Sequence, residues 1–572
     1  LPTPPAAAPD LDIVAIHGAA LVPPSAADRL PPRSTVVPAV GSPVFSTPPP
    51  DARADGDRWT SDGVLVRVGG PPSVVVGDLV DVSGTVRESY EQTEISDDPV
   101  VTLISSGYQL PTRELFDAAT PASTQPRPET ELERFEGMRV RVENGIISAP
   151  SDRYGEACAT SGNARLFREP GILYPGLPNL AVWDGNPEGF EIDPQGLGGG
   201  GRALASGATF QAEGVLAYAY GAYQLWTTNL EGEGESTPFR PVRSRGSGEI
   251  TIGTQNLWRL GVPGGDVPQS IRLEKLSRQI RVVLGAPEVL AVQEVADLET
   301  LRDLAAQIEV DDARVRYSAY LEEGNDFGDI DVGFLVKEGM DVISVDQVGA
   351  DERFSWDGTY LFDRPPLVLE VLLPGIEGLA GVTVVAVHLR SLSGIDDPED
   401  GERVRQKRHE QGQWLSGWLQ ERQSADPAEP ILILGDFNAF EFSDGYVDVM
   451  GQLTGTPDED GALLQATDEV DPVLVDWVNK LPRRERYSFV YDCSAQVLDH
   501  ILTNRAANGW VRGVAFGRGN ADAPAGFETD PSTAARSSDH DGMVIYLGSR
   551  IRTGHGPRFS PVPGTRSALS RN

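Results

Sequence analysis

Lysine is nearly absent from this 572-residue chain, standing only at Lys275, Lys337, Lys407 and Lys480. Basic residues total 48 against 85 acidic ones, for a formal net charge of −37. That balance excludes a generally basic protein that coats nucleic acid, because such a surface repels phosphates unless a local basic groove or bound cations reverse it. No apolar run reaches the roughly 18 residues of a membrane-crossing helix, so no membrane insertion is predicted. Cysteine occurs only at Cys158 and Cys493, which excludes zinc sites built on paired CxxC motifs. A secreted protein would join these two as one long-range disulfide and a cytosolic one would leave two thiols; sequence spacing does not choose. A charged segment followed by an apolar one is also missing. The chain opens instead on Leu1-Pro2-Thr3-Pro4-Pro5-Ala6-Ala7-Ala8-Pro9, which resembles the start of a mature chain after a signal peptide has been removed. Secretion is the expectation.

What is present is a chain with 40% apolar residues, too long for one hydrophobic core, so at least two domains are expected. Residues 1–30 are rich in Pro and Ala and read as a flexible segment. From 31 to 120, short Val-rich runs such as Gly63-Val64-Leu65-Val66-Arg67-Val68 alternate with Gly, Pro and Asp, the pattern of a small β-barrel. A second β-rich module is expected over 121–247, after a proline-rich link. It includes a hairpin from Gly214 to Trp226 and a loop at the glycine run 198–201.

Beyond 248 the texture changes to apolar runs of strand length alternating with helical spacing. Helices are predicted over 270–284, 297–308 and 403–422, and strands over 289–295, 331–337, 382–389, 430–437, 498–503 and 543–547. This mixture predicts an α+β catalytic domain over 248–549. Residues 550–572 carry arginines without acids among Gly, Pro and Ser and read as a disordered basic tail.

The chemistry sits where the strands end. His388, His500 and His540 follow or precede apolar runs, and Ile431-Leu432-Ile433-Leu434-Gly435-Asp436-Phe437-Asn438 delivers a carboxylate and an amide into a turn. Hydrolysis of a phosphodiester needs a water made nucleophilic, a cation or donors to neutralise the phosphoryl oxygens, and help for the leaving oxygen. Mg²⁺, or alternatively Mn²⁺ or Ca²⁺, takes oxygen ligands, and Asn256, Glu294 and Asp539 are suitable. Alone, a Gly-Asp-x-Asn turn is most often just a turn; its company here favours function. His500, next to Asp499 on a strand, faces the opposite way and is as readily a packing residue as a catalytic one.

Seven phrases in order carry a resemblance: Thr254-Gln255-Asn256, Val292-Gln293-Glu294, Arg364-Pro365-Pro366, His388-Leu389-Arg390-Ser391, Gly435-Asp436-Phe437-Asn438, Leu498-Asp499-His500 and Ser538-Asp539-His540-Asp541. Over about 248–548 the chain resembles the endonuclease/exonuclease/phosphatase family. The resemblance implies a four-layered α/β sandwich with Glu294 as metal ligand and Asn256 and Asp539 close to it. It implies that Asp436 and Asn438 orient water and phosphate, that His540 is the base held by Asp499, and that His388 serves the scissile phosphate or leaving group. Arg364 takes the place of a phosphate contact. Pancreatic-type members carry an arginine two residues after the metal-binding glutamate; here that place is Ala296, which puts that kind of groove reading in doubt. The N-terminal half resembles the oligonucleotide-binding-fold modules that precede the catalytic domain of bacterial extracellular nucleases, which implies an extracellular or periplasmic setting.

The leading functional expectation is a secreted, divalent-metal-dependent nuclease cutting DNA or RNA with low sequence specificity and needing no obligate protein partner. A phosphodiesterase or phosphomonoesterase for lipid or small-molecule phosphates is the alternative. A non-catalytic binding protein on a nuclease scaffold ranks third, since none of Glu294, Asp436, Asn438 and His540 is lost.

Overall fold

The computed structural model describes residues 29–37, 44–46, 60–123, 131–162, 164–173, 176–197, 203–232, 239–376, 379–458 and 461–549. The expected flexible N-terminal segment, apart from its last two residues, the basic tail and the glycine run 198–201 lie outside them.

The N-terminal half is β-rich, as its alternating Val runs predict. Five strands, Arg29–Val36, Val44–Ser46, Val64–Val66, Leu79–Ser89 and Gln92–Ser105, form one sheet. A second set closes on itself. Arg139–Ala149 pairs with both Ala157–Thr160 and Thr209–Ala219, and the ring is completed through Phe190–Asp193 and Ala222–Gly232. This second β unit is therefore a closed five-stranded barrel. Glu114–Phe116, placed by sequence in the first module, pairs with Arg139–Ala149 of the second. Short strands of similar composition do not state their partners; hydrogen-bond pairing between distant segments decides. Phe116, Phe135, Phe190 and Phe210 fill the second unit's core.

The C-terminal part is a sandwich of two six-stranded sheets. The first contains β1 (Glu249–Leu260), β2 (Val289–Val295), β3 (Tyr317–Leu321), β4 (Asp331–Lys337), β11 (Val511–Gly517) and β12 (Gly542–Gly548), in the order β3-β4-β2-β1-β12-β11. The second contains β5 (Asp341–Gln347), β6 (Leu367–Pro374), β7 (Leu379–His388), β8 (Ile431–Asp436), β9 (Val475–Asp476) and β10 (Asp499–Thr503), in the order β5-β6-β7-β8-β10-β9.

Period-two burial explains the layers. Leu432 and Leu434 of β8 face the other sheet, while Ile431 and Ile433 face helices; a strand covered on both sides reads as a continuous apolar run. Helices α1 (Gln269–Arg278) and α2 (Leu298–Asp311) cover the first sheet through Leu276, Leu301, Leu304 and Ile308. Helix α3 (Gly401–Ala425) covers the second through Leu415 and Leu419. Asp297 starts α2 by accepting a hydrogen bond from the Thr300 amide at 2.7 Å, the usual work of an N-cap carboxylate. The result is the four-layered α/β sandwich that the resemblance implied.

Cys158 of the second β unit and Cys493 of the sandwich form a disulfide. It covalently ties the two parts of the chain together.

Candidate active site

Strand register builds the site. His388, the last residue of β7, is the cross-strand partner of Asp436 on β8, and Asp436 is the partner of Asp499 on β10. Three polar side chains thus stand in one row across three adjacent strands, each about 5 Å from the next. His540, immediately before β12 of the opposite sheet, reaches the end of that row, and its Nδ1 lies 2.7 Å from Asp499 Oδ2.

Local backbone distortions aim the remaining groups. Glu294 sits at a register slip of β2 with φ of +61°. Such a bulge breaks strict alternation and redirects one side chain. Asn438 also has positive φ, at +49°, and its amide N–H donates to Asp436 Oδ1 at 2.8 Å; asparagine tolerates this region better than most residues. Gly435 is required where it stands. Its φ is +147°, and a Cβ there would lie 2.1 Å from the Val387 carbonyl oxygen.

Glu294, His388 and Asp436 bring one ligand atom each within 4.8 Å of one another. His388 Nε2 lies 3.6 Å from Asp436 Oδ2 and 3.9 Å from Glu294 Oε1. This group fits a divalent cation, since a part-buried and a buried carboxylate converge with no arginine or lysine in a salt bridge to either among the described residues, and His388 Nδ1 is buried with no hydrogen-bond partner among them. Of the ligands expected from sequence, only Glu294 belongs to this group. Asn256 lies beside it, its Nδ2 donating to Glu294 Oε1 at 3.1 Å and Asp436 Oδ2 at 3.2 Å, while its Oδ1 accepts from the Trp258 amide. Asp539 is half-buried; it acts on Glu294 and His540 through charge.

Burial dominates the electrostatics. It pushes the Asp436 carboxyl up to about 7, with Asp499 and Glu294 adding repulsion and His540 opposing. Glu294 is raised by burial and by Asp539. His388 is held well below its ordinary value by burial, with Arg364 and His540 adding like charge. For His540, burial again disfavours the cation, but Asp499, Asp436 and Asp539 together outweigh it and raise the imidazole well above its ordinary value. Similar side chains in one site are thus driven apart, as acid and base roles require.

The structure places Arg364 against the end of β7. Its guanidinium donates to the His388 and Leu389 carbonyls at 3.3 and 3.1 Å and stands 3.6 Å from Asp326. His500 is a support. It is fully buried, with Nδ1 3.0 Å from Asp476 Oδ2 and Nε2 2.9 Å from the Ala439 carbonyl. Sequence reasoning missed Asp476, and it missed Arg408, whose buried guanidinium donates to the Asn438 carbonyl at 2.8 Å and pairs with Asp444. It also missed Arg518, paired with Asp541 at 3.0 Å. No local pattern marks these residues, because their partners come from other elements.

The sequence model described as the endonuclease/exonuclease/phosphatase family matches residues 253–540, half of the chain. The chain belongs to this family. Family members hydrolyse phosphodiester or phosphate bonds. A second sequence model, described as a domain of unknown function, matches residues 129–235. No curated protein matches. Among solved structures, the chain is similar to truncated Caenorhabditis elegans TDP2, with 18% identity over 53% of this chain and 100% of that one and a TM-score of 0.34. It is also similar to an endonuclease/exonuclease/phosphatase from Bacteroides vulgatus (14% identity, 52% and 98% coverage, TM-score 0.33). A third is the human Nocturnin catalytic domain (15% identity, 54% and 96% coverage, TM-score 0.34).

Proposed function

We propose that this protein is a secreted, divalent-metal-dependent nuclease that hydrolyses phosphodiester bonds of DNA, and of RNA, with little sequence preference. The observation that carries the reading is the His540–Asp499 pair at 2.7 Å beside the Glu294, His388 and Asp436 group.

Glu294 and Asp436 would hold the cation, with His388 at its side, and Mg²⁺ is the first choice for two carboxylates. When bound, the cation supplies positive charge to the phosphoryl oxygens and offsets the carboxylates around the site. Asp499 accepts from His540 Nδ1, which fixes the tautomer of the neutral ring, and a cation on Asp436 would offset one of the carboxylates that raise the imidazole, leaving Nε2 to take a proton from water. Asn256, whose Nδ2 donates to both Glu294 and Asp436, bridges the two carboxylates and orients them. Asn438, anchored by its Nδ2 to the Leu389 carbonyl, holds the turn that follows Asp436. Arg364 adds positive charge next to His388 and is assigned to the substrate phosphate.

Secretion is supported by the Cys158–Cys493 disulfide, since such bonds persist in oxidising compartments. A lipid phosphodiesterase is the second reading, favoured by Phe327, which is fully exposed in the loop that brings Asp326 to Arg364. Purified protein with Mg²⁺ is to be tested on circular plasmid, linear duplex, RNA, sphingomyelin and a phosphomonoester, each with a chelator control. Nicking of circular plasmid that stops with chelator, and falls by orders of magnitude in His540→Ala, is expected. Turnover of sphingomyelin with no action on any nucleic acid would replace the reading with the second one.

A further inference from the structure

A cleft of about 830 Å³ lies between the second β unit and the sandwich, lined on one side by residues including Phe167, Arg168 and Glu188 and on the other by residues including Phe440, Phe442 and Val497. It adjoins the catalytic row. Phe440 follows Asn438 by two residues, and Tyr487 precedes Phe489 by two, the ring of Phe489 lying 4.7 Å from that of His540. Two residues of extended chain span at most about 7 Å.

The walls interleave guanidinium groups with aromatic rings. Arg168 of the β unit lies over Trp183 at 4.1 Å and over Phe440 of the sandwich at 4.9 Å. Burial lowers its pKa to about 10, which leaves it charged at neutral pH. It donates to the Gly171 carbonyl at 2.6 Å and has no salt bridge among the described residues. Arg165 lies over Tyr487 at 4.4 Å and pairs with Asp522, but its buried Nη2 has no hydrogen-bond partner among the described residues. On the opposite rim, Arg483 and Arg484 are exposed, and their side chains make no hydrogen bond or salt bridge among the described residues. Arg486 completes the set of five.

The acids of the cleft are Asp117, Glu169, Glu188 and Glu441. The five arginines outnumber these four acids, and burial raises two of the four, Glu188 to about 7 and Glu441 as well. In a chain of net charge −37 this concentration of guanidinium, with only Arg165 in a salt bridge among the described residues, has one obvious complement, a chain of phosphates. Phe167 and Phe442, part-exposed rings of the same lining, add surfaces on which unpaired bases stack. A duplex hides those faces, and an acidic peptide has none.

We propose that this cleft binds a single-stranded polynucleotide segment adjoining the scissile phosphate, and that this is the role of the second β unit. The proposal rests on the nuclease reading and specifies where its substrate lies.

The test uses the full chain carrying His540→Ala, in chelator, with a fluorescein-labelled 20-nucleotide single strand and the matching duplex, followed by anisotropy over a salt series. Adding Arg483→Glu and Arg484→Glu is expected to weaken single-strand binding at least about tenfold. It should also flatten the plot of log affinity against log salt by about 1.4, because each lost phosphate contact on a single strand removes about 0.7. Duplex binding should fall less. Phe442→Ala, at a ring that also lines the cleft, should weaken binding about tenfold with the salt slope unchanged. With His540 intact, the double arginine variant should turn over bis(p-nitrophenyl) phosphate at the wild-type rate and lose at least about tenfold in kcat/KM on the long single strand.

Unchanged affinity and slope in the double variant, an equal loss on duplex, or displacement of the strand by polyglutamate as readily as by unlabelled strand would overturn the proposal. Wild-type cleavage of polynucleotide alongside any of these outcomes overturns the cleft alone. Turnover of bis(p-nitrophenyl) phosphate without cleavage of any polynucleotide overturns the nuclease reading as well.

Discussion

His540 Nδ1 meets Asp499 Oδ2 at 2.7 Å across the two sheets of the sandwich. Asp499 opens β10 of one sheet and His540 precedes β12 of the other, so the pair exists only once the sandwich is assembled. Phe489 covers the His540 ring at 4.7 Å, and the Ser488 hydroxyl accepts from the Asp499 amide at 3.2 Å. Both members are held from behind.

Asp499→Asn tests that relationship with little change of volume. The amide cannot favour the imidazolium, so the His540 pKa falls, and it no longer selects the tautomer with a free Nε2. Turnover should drop by about two to four orders of magnitude, while the acid limb of the pH profile moves to lower pH. The sign follows from the causes: Asp499 is the leading influence that raises His540, and removing it leaves the imidazole neutral further into acid. A limb that stays in place, measured by kcat/KM from pH 5 to 9, would show that another group titrates.

Gly435→Ala tests the turn that delivers Asp436. A Cβ at this position would lie 2.1 Å from the backbone oxygen of Val387, an atom of the neighbouring strand that cannot rotate aside. At φ of +147° the backbone is itself unfavourable for alanine. The two effects should cost at least about 2 kcal/mol, read as a lower urea midpoint. A variant with wild-type stability would mean that β7 and β8 separate freely at this point.

Much of this site was legible because strand periodicity and turn chemistry are local. The run Ile431–Leu434 announces a strand buried on both faces, and Gly435, Asp436 and Asn438 announce the turn. Asp499 beside His500 shows which of the two can share a face with His540. Less legible was what depends on pairing. Asp341–Gln347 is a half-exposed strand of mixed composition whose place is set by β6, and the metal group draws His388 rather than Asp539 because register puts His388 beside Asp436. The bulge that turns Glu294 to φ of +61° leaves no mark in Val292-Gln293-Glu294-Val295. The closed barrel of the second β unit depends on Arg139–Ala149 meeting Thr209–Ala219, a long-range choice that composition does not encode.

Reduction of the Cys158–Cys493 disulfide tests the join between the barrel unit and the sandwich. The residues are 335 positions apart in sequence with Cα atoms 5.4 Å apart, so the bond removes much of the freedom of the unfolded chain. Cys158→Ser with Cys493→Ser should lower stability by about 3 kcal/mol, measured by guanidinium unfolding. Ser148 Oγ donates to the Cys493 carbonyl at 2.7 Å and Asn186 Nδ2 to Ser494 Oγ at 2.8 Å, so the interface keeps other contacts and the folded state should survive at neutral pH. Equal stability of oxidised and reduced protein would refute a constraining role for the bond.

Cation binding should stabilise the protein more at pH 8 than at pH 6. Asp436 has a folded pKa of about 7 against an ordinary 3.8, with burial as the main cause, and Glu294 is raised in the same direction. An acid raised on folding contributes stability that is full below its unfolded pKa and is lost as pH rises through the folded one. Without metal, stability therefore declines from about pH 4 toward pH 7 on account of these groups. A divalent ion binds the ionised carboxylates, so its binding competes with protons and strengthens over the same interval. At a concentration 100 times Kd it adds about 2.7 kcal/mol, and the Tm increase caused by Mg²⁺ should grow from pH 6 to pH 8. Glu294→Gln should reduce that increase at both pH values. An Mg²⁺-dependent Tm shift that is flat with pH, or undiminished in Glu294→Gln, would place the bound cation outside the group formed by Glu294, His388 and Asp436.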